Sequence, residues 1–219
     1  MALILKKQSF FRNITAGGEP EYPPFYLGLM GYSTSVGNTL FTIPLNVQSK
    51  NLSFEAVFAS IRKFIPPAAG NVGSCVFSMR FDVANISNYI GFYDRFNSNN
   101  ERYCRSLTSY KSVAGAVIDF EIHKIQMSLN EFILDGNVIA TFSNNYTGVL
   151  NPVLYIGYTN SSGNMQGFKG QFFWAKAYAD SALIRHLVPN PDRSGNLLDL
   201  VTGQQFSYQY TKPLFELPE

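Results

Sequence analysis

The chain has 219 residues, of which 15% are charged and 15% aromatic, with 19 Phe and 13 Tyr against one Trp. A formal net charge of +2 excludes a phosphate-tracking basic surface, and no run is long and apolar enough for a membrane-spanning helix. With charge well below the roughly 25% of average domains, Asn, Ser, Thr and Gln supply the polarity, which suits uncharged partners such as sugars or a crowded protein assembly.

Residues 1–26 stand apart. Lys6 to Arg12 can extend as a strand, but Ala16-Gly17-Gly18-Glu19-Pro20 and Pro23-Pro24 forbid regular structure beyond it. The segment reads either as an arm reaching a neighbouring molecule or as an edge strand with a rigid loop; residues 27–219 read as one domain. Met1 to Lys7 places apolar residues ahead of its lysines, the reverse of a signal peptide.

From Phe41 the rhythm is of short strands separated by turns. Leu52 to Ile61 sets Phe54, Ala56 and Phe58 against Glu55, Val57 and Ala59, the pattern of a central strand. Cys75 to Asp82 points Cys75, Phe77, Met79 and Phe81 inward and Val76, Ser78, Arg80 and Asp82 mostly outward. Tyr89 to Tyr93 offers Ile90 and Phe92 to the core. The run Asn97-Ser98-Asn99-Asn100 reads as a turn, after which Glu101 to Leu107 returns. Two free thiols at Cys75 and Cys104 are favoured over a disulfide, since nothing marks an oxidising compartment.

Val117 to Ile125 directs Ile118, Phe120 and Ile122 inward and Asp119, Glu121 and His123 outward. Asp135-Gly136-Asn137, between Leu129–Leu134 and Val138–Phe142, is a hairpin signal because Asp-Gly accepts positive φ. Val153 to Tyr158 follows. From Gln171 to Ala179, strict alternation puts Phe173, Ala175, Ala177 and Ala179 on one face and Phe172, Trp174, Lys176 and Tyr178 on the other. Asp180-Ser181 breaks this pattern, leading through a short non-strand connection, with a helical turn or two near Ala182, into Leu187-Val188-Pro189. Ten to twelve strands result, and the class is all-β, an antiparallel two-sheet β-sandwich with jelly-roll connections.

The segment GFKGQFFWAKAYADSALIRHLVPNPDRSGNLLDLVTGQQF, with FTIPLNV and LSFEAVF as an opening pair, LNEFILDGNVIATF as a central hairpin and YIGY after it, resembles concanavalin A-like (laminin G-like) sandwich domains. The closing part is most similar to those of bacteriophage virion proteins. The resemblance implies a concanavalin A-like jelly roll and a non-enzymatic structural protein of the virion, in capsid decoration or in a head or tail fibre. It also implies assembly in a host cytoplasm, contacts with other virion proteins through residues 1–26, and a homo-oligomer.

Site chemistry is sparse. Asp119 and Glu121 are the paired-carboxylate candidates for a glycoside hydrolase or lyase of this fold, the alternative to a structural role. Some concanavalin A-like enzymes carry three carboxylates on one strand face, and Asp119-Phe120-Glu121-Ile122-His123 supplies two; a solvated strand face is the favoured reading, so no catalytic residue is assigned. With His only at 123 and 186 and no Cys-x-x-Cys spacing, no metal or cofactor is expected; Asn190, Asp192, Asn196 and Asp199 read as turn-formers. Glycan-binding candidates are the aromatic, amide and guanidinium groups near strand ends: Tyr93, Arg95 and Asn97, with Tyr158 and Asn160. The stripe Phe172, Trp174 and Tyr178 reads as core or as a subunit interface.

Overall fold

A computed structural model describes residues 26–29, 39–60, 74–81, 88–96, 101–113, 121–144, 146, 151–157, 166–168, 170–210 and 212–216. The described residues form strands and turns, in two sheets packed face to face. The expectation of an all-β two-sheet sandwich is met. Residues 1–25 lie outside the described residues, so the expected arm is not among them; Tyr26 already belongs to a strand.

The strands in chain order are β1 (Tyr26–Leu29), β2 (Thr39–Pro44), β3 (Leu52–Ser60), β4 (Ser74–Arg80), β5 (Tyr89–Phe96), β6 (Glu101–Ser106), β7 (Ser109–Val113), β8 (Ile122–Ser128) and β9 (Glu131–Leu134). They continue as β10 (Asn137–Thr141), β11 (Val153–Ile156), β12 (Gln166–Gly167), β13 (Gly170–Ala179), β14 (Ala182–Pro189), β15 (Leu197–Asp199), β16 (Gln205–Phe206), β17 (Gln209–Tyr210) and β18 (Leu214–Glu216). The first sheet runs β10-β9-β8-β3-β13-β14-β15-β16. The ten residues of β13 face β3 along one side; on the other side β1 pairs with the first part and β14 with the rest, while β18 pairs with β1. The second sheet runs β17-β2-β11-β4-β5-β6-β7. All described pairings are antiparallel except that of β12 with β4.

The core between the sheets is aromatic. Phe58 makes ring contacts with Phe77, Phe92 and Phe168 at centroid distances of 5.9, 5.4 and 5.7 Å, and Phe92 stacks on Phe132 at 5.3 Å. Offset and edge-on rings interlock where flat stacking alone would leave gaps. Inward Phe54, Ala56 and Phe58 of β3 and Phe77, Met79 and Phe81 around β4 follow the period-two reading. Arg185 ties the sheets together at one end. Its Nη2 donates to the carbonyls of Pro44 and Leu45, at 3.0 and 3.2 Å, while Nε lies 3.7 Å from the fully buried Asp199 carboxylate.

The described strands number 18 where ten to twelve were expected, several of them only two or three residues long, and Val76, expected outward, joins the main core at a register shift between Cys75 and Phe77. Three further expectations change. In β13 the register shifts between Phe172 and Trp174, so Phe173 is the extra residue of a bulge. Phe172 therefore joins Ala175, Ala177 and Ala179 in the main core, and Phe173 and Trp174 share the outer face, where Phe173 packs on Tyr26 at 5.5 Å. In β8 the phase is the reverse of that expected: His123, Ile125 and Met127 point inward and Ile122 packs outside, because the strand begins at Ile122 and takes its phase from Phe58 opposite His123. Finally, Ala182–Pro189 is a full strand. Asp180 (φ 48°) and Ser181 (φ 68°) form a two-residue turn with both residues left-handed, the geometry that matches the twist of a hairpin.

Cys104 is a buried free thiol, its pKa pushed up to about 12 by burial. β5 lies between the strands carrying Cys75 and Cys104, which sets their Cα atoms about 10 Å apart by strand spacing, beyond the reach of a disulfide.

Candidate functional site

The outer face of the first sheet carries a concentration of polar and aromatic side chains that strand alternation alone assembles. Because residues opposite one another in a ladder point the same way, Ile133, Gln126, Glu55, Lys176 and His186 form one row across β9, β8, β3, β13 and β14. On one side of it, Lys124, Val57 and Trp174 form a second row. On the other side lie Ser128, Ser53, Tyr178 and Leu183.

Glu55 is the hub. Its side chain is only 9% exposed, yet both oxygens are engaged. Tyr178 Oη donates to Oε1 at 2.5 Å and Gln126 Nε2 donates to Oε2 at 3.1 Å. The ammonium groups of Lys124 and Lys176 lie 3.3 and 3.7 Å away. Burial would raise the Glu55 carboxyl, but the two hydrogen bonds and the two lysines outweigh it and hold the carboxyl below its ordinary value. Burial and the neighbouring carboxylate together push the Tyr178 hydroxyl well above its ordinary range.

Trp174 lies under the two lysines, whose Nζ atoms sit 4.8 Å (Lys176) and 5.4 Å (Lys124) from a ring centroid, and His186 meets it edge-on at 6.3 Å. The indole is buried and its Nε1 has no hydrogen-bond partner. Burial and then the Lys176 charge hold the His186 imidazole below its ordinary value, against the opposing pull of Asp199 and Glu55. Beside this cluster opens a hollow of about 290 Å³, with Ser53, Glu55, Gln126, Ser128, Glu131 and Tyr178 as its polar lining. That size lies at the small end for ligand sites.

Of the residues singled out from sequence, the structure brings Trp174 and Tyr178 to this face and takes Phe172 away. Tyr93 lies inside β5, fully buried, its hydroxyl bonded to that of Tyr89, and is no part of a polar loop. Arg95 falls in the same strand with its side chain outside the described residues, and Asn97, Tyr158 and Asn160 lie outside them altogether. So does Asp119, while Glu121 is exposed just before β8. His123 is turned inward, with Nδ1 2.6 Å from the Asp135 carboxylate, whose other oxygen accepts the Lys124 backbone N–H at 2.8 Å.

The turn-former reading of the closing acids fits their bonds. Asn190 and Asp192 bond each other, and Asp192 accepts the Ser194 N–H at 2.8 Å. Asp199 accepts from the N–H groups of His186 and Val201 and from the Thr202 hydroxyl. Among the described residues no group of three or more His, Cys, Asp or Glu is placed to hold a metal ion.

Sequence reading passed over Glu55, Gln126, Lys124 and Lys176. One signal was available for Glu55: it is the single charged residue in the mostly apolar LSFEAVFAS of a central strand, and a charge there needs partners.

No family model matches the chain, and no curated protein is a significant relative. Among solved structures it is similar to a candidate carbohydrate-binding protein from Bacteroides ovatus, with a TM-score of 0.60 at 7% identity. That alignment covers 92% of this chain and 62% of the other, so the chain spans less than two thirds of its neighbour's length. At this identity the likeness shows the fold. Two further structures share lower TM-scores of 0.46. One is domain 4 of a GH43 extracellular arabinanase from Geobacillus stearothermophilus, solved with arabinotriose, at 13% identity over 70% of this chain and 71% of that one. The other is the LG4-5 pair of the mouse laminin alpha1 chain, at 12% identity over 90% of this chain and 52% of that one.

Proposed function

We propose that this protein is a non-catalytic glycan-binding β-sandwich whose ligand docks on the outer face of the first sheet, at the hollow beside Glu55. The observation that carries the reading is the polar lining itself: Ser53, Gln126, Ser128 and Tyr178 with Glu55 and Glu131 around about 290 Å³, with Gln126 and Tyr178 held by Glu55. Polar side chains on rigid strands, two of them held by a shared carboxylate, suit recognition of sugar hydroxyls. The likeness in fold to a candidate carbohydrate-binding protein is in keeping with it.

The state of Glu55 argues against its serving as the general acid of glycoside hydrolysis. A general acid in that chemistry needs a raised carboxyl pKa, whereas this carboxyl is held down and both of its oxygens are already engaged. A glycan array probed with the purified chain tests the reading, with reducing-end release from the same glycans measured alongside. Retention of at least one glycan without release is expected; release that disappears in Glu55→Gln would establish an enzyme instead.

The resemblance of the closing segment to phage sandwich domains extends the proposal to a component of a virion, in capsid decoration or a fibre, with other virion proteins and further copies of the chain as partners. Mass spectrometry and immunolabelling of purified particles should find it there. Recovery only in the soluble host extract would defeat that extension and leave glycan binding standing.

A further inference from the structure

We propose that Glu55 fixes the hydrogen-bond polarity of the hollow, so that the site takes the hydroxyl donors of a neutral sugar and rejects carboxylated or sulfated ones. The inference rests on the glycan-binding reading and adds the class of glycan.

An ionised carboxylate can only accept hydrogen bonds. Tyr178 therefore commits its one proton to Glu55 Oε1, at 2.5 Å, and its oxygen is left with lone pairs alone. Gln126 must likewise turn its amide nitrogen to Oε2, at 3.1 Å, which fixes its carbonyl oxygen as an acceptor a ligand can meet and leaves one N–H to donate. Glu131, a further lining residue, adds a carboxylate. The serines are the exceptions. Ser128 Oγ already accepts the backbone N–H groups of Asn130 (3.3 Å) and Glu131 (3.1 Å), so its proton remains to be donated, and Ser53 can do either. Among the described residues no cation lines the hollow. Lys124 and Lys176 lie over Trp174 and pair with Glu55 at 3.3 and 3.7 Å, away from Glu131 and the serines of the lining.

Acceptors thus outnumber donors in the walls, which favours a ligand rich in donors. Sugar hydroxyls supply them. A uronate carboxylate or a sulfate ester would set more acceptors and a like charge against Tyr178, Gln126 and Glu131, a rejection of the kind that gives binding sites their specificity.

The test is calorimetric titration of the intact chain with matched pairs: neutral gluco-, manno- and galacto-oligosaccharides against their uronate and 6-O-sulfated counterparts. At least one neutral member should bind, with its acidic counterparts weaker by about tenfold or more. In Glu55→Gln the amide can turn either group to Tyr178, so the ratio should narrow to about threefold or less. Tyr178→Phe keeps the ring and removes the acceptor, and should weaken the neutral sugar; both variants are checked for an unshifted fold by circular dichroism. Equal or tighter binding of an acidic sugar by the wild type overturns the proposal while leaving glycan binding intact. So does an unchanged ratio in a folded Glu55→Gln, or, should that variant fail to fold, unchanged neutral affinity in Tyr178→Phe. Binding of no sugar by the wild type overturns the glycan reading and this inference with it.

Discussion

Asp199 shows how a single buried carboxylate can organise a chain ending. It is fully buried; one oxygen accepts the His186 and Val201 N–H groups at 2.8 and 3.1 Å, and the other accepts the Thr202 hydroxyl at 2.7 Å. Arg185 lies 3.7 Å away, its Nη1 donating to the Ile184 carbonyl of its own strand and its Nη2 to the Pro44 and Leu45 carbonyls across the sandwich. Removing the carboxylate strands a buried guanidinium. Asp199→Ala should therefore cost about 3–5 kcal/mol of stability, measured by denaturant unfolding. Glu55 makes a pH-dependent contribution. Its carboxyl is lower in the folded chain than its ordinary 4.5, so it stabilises the fold above that pH and the benefit is lost as pH falls through the folded value. Melting curves from pH 7 down to pH 3 should show wild type losing ground relative to Glu55→Gln only in the acid range.

At the scale of elements, two turns and one bulge decide where side chains go. Asp135 (φ 50°) and Gly136 (φ 80°) close β9 onto β10, and Asp180 and Ser181 close β13 onto β14 in the same left-handed pair. A Cβ on Gly136 would meet open space, so Gly136→Ala should cost only the strain of a left-handed alanine, about 1 kcal/mol. Gly170 is the opposite case. A Cβ there would sit 2.0 Å from Phe168 Cζ and 2.3 Å from the Ala59 carbonyl oxygen of the paired strand. Since the β3 backbone cannot yield without opening the ladder, Gly170→Ala should destabilise by about 3 kcal/mol, and thermal unfolding of the two variants side by side would rank them. The first turn is legible because Asp-Gly is chemically distinctive; the second is not, because Asp-Ser has no such preference for paired positive φ. The bulge at Phe173 is equally silent in sequence: FFW alternates in either phase until β3 supplies the partner that Phe172 must face.

For the whole molecule, the sandwich separates two jobs. Its aromatic interior holds the sheets together, and the outer face of the first sheet is left free to assemble the polar cluster around Glu55. No cross-link between Cys75 and Cys104 supplements this, so a reductant should leave the melting temperature unchanged; a drop of several degrees would reveal a covalent tie. Sequence alone determined the all-β class, the β3 phase and the β9–β10 hairpin, since each depends on a period of two or on residues within one turn of chain. Tertiary structure alone decided the β8 and β13 phases, the strand nature of Ala182–Pro189 and the meeting of Glu55 with Tyr178, 123 residues apart. The physical reason is that a side chain's face follows from local backbone geometry, whereas its partners follow from which strand is laid alongside, and that is settled by packing of the entire core.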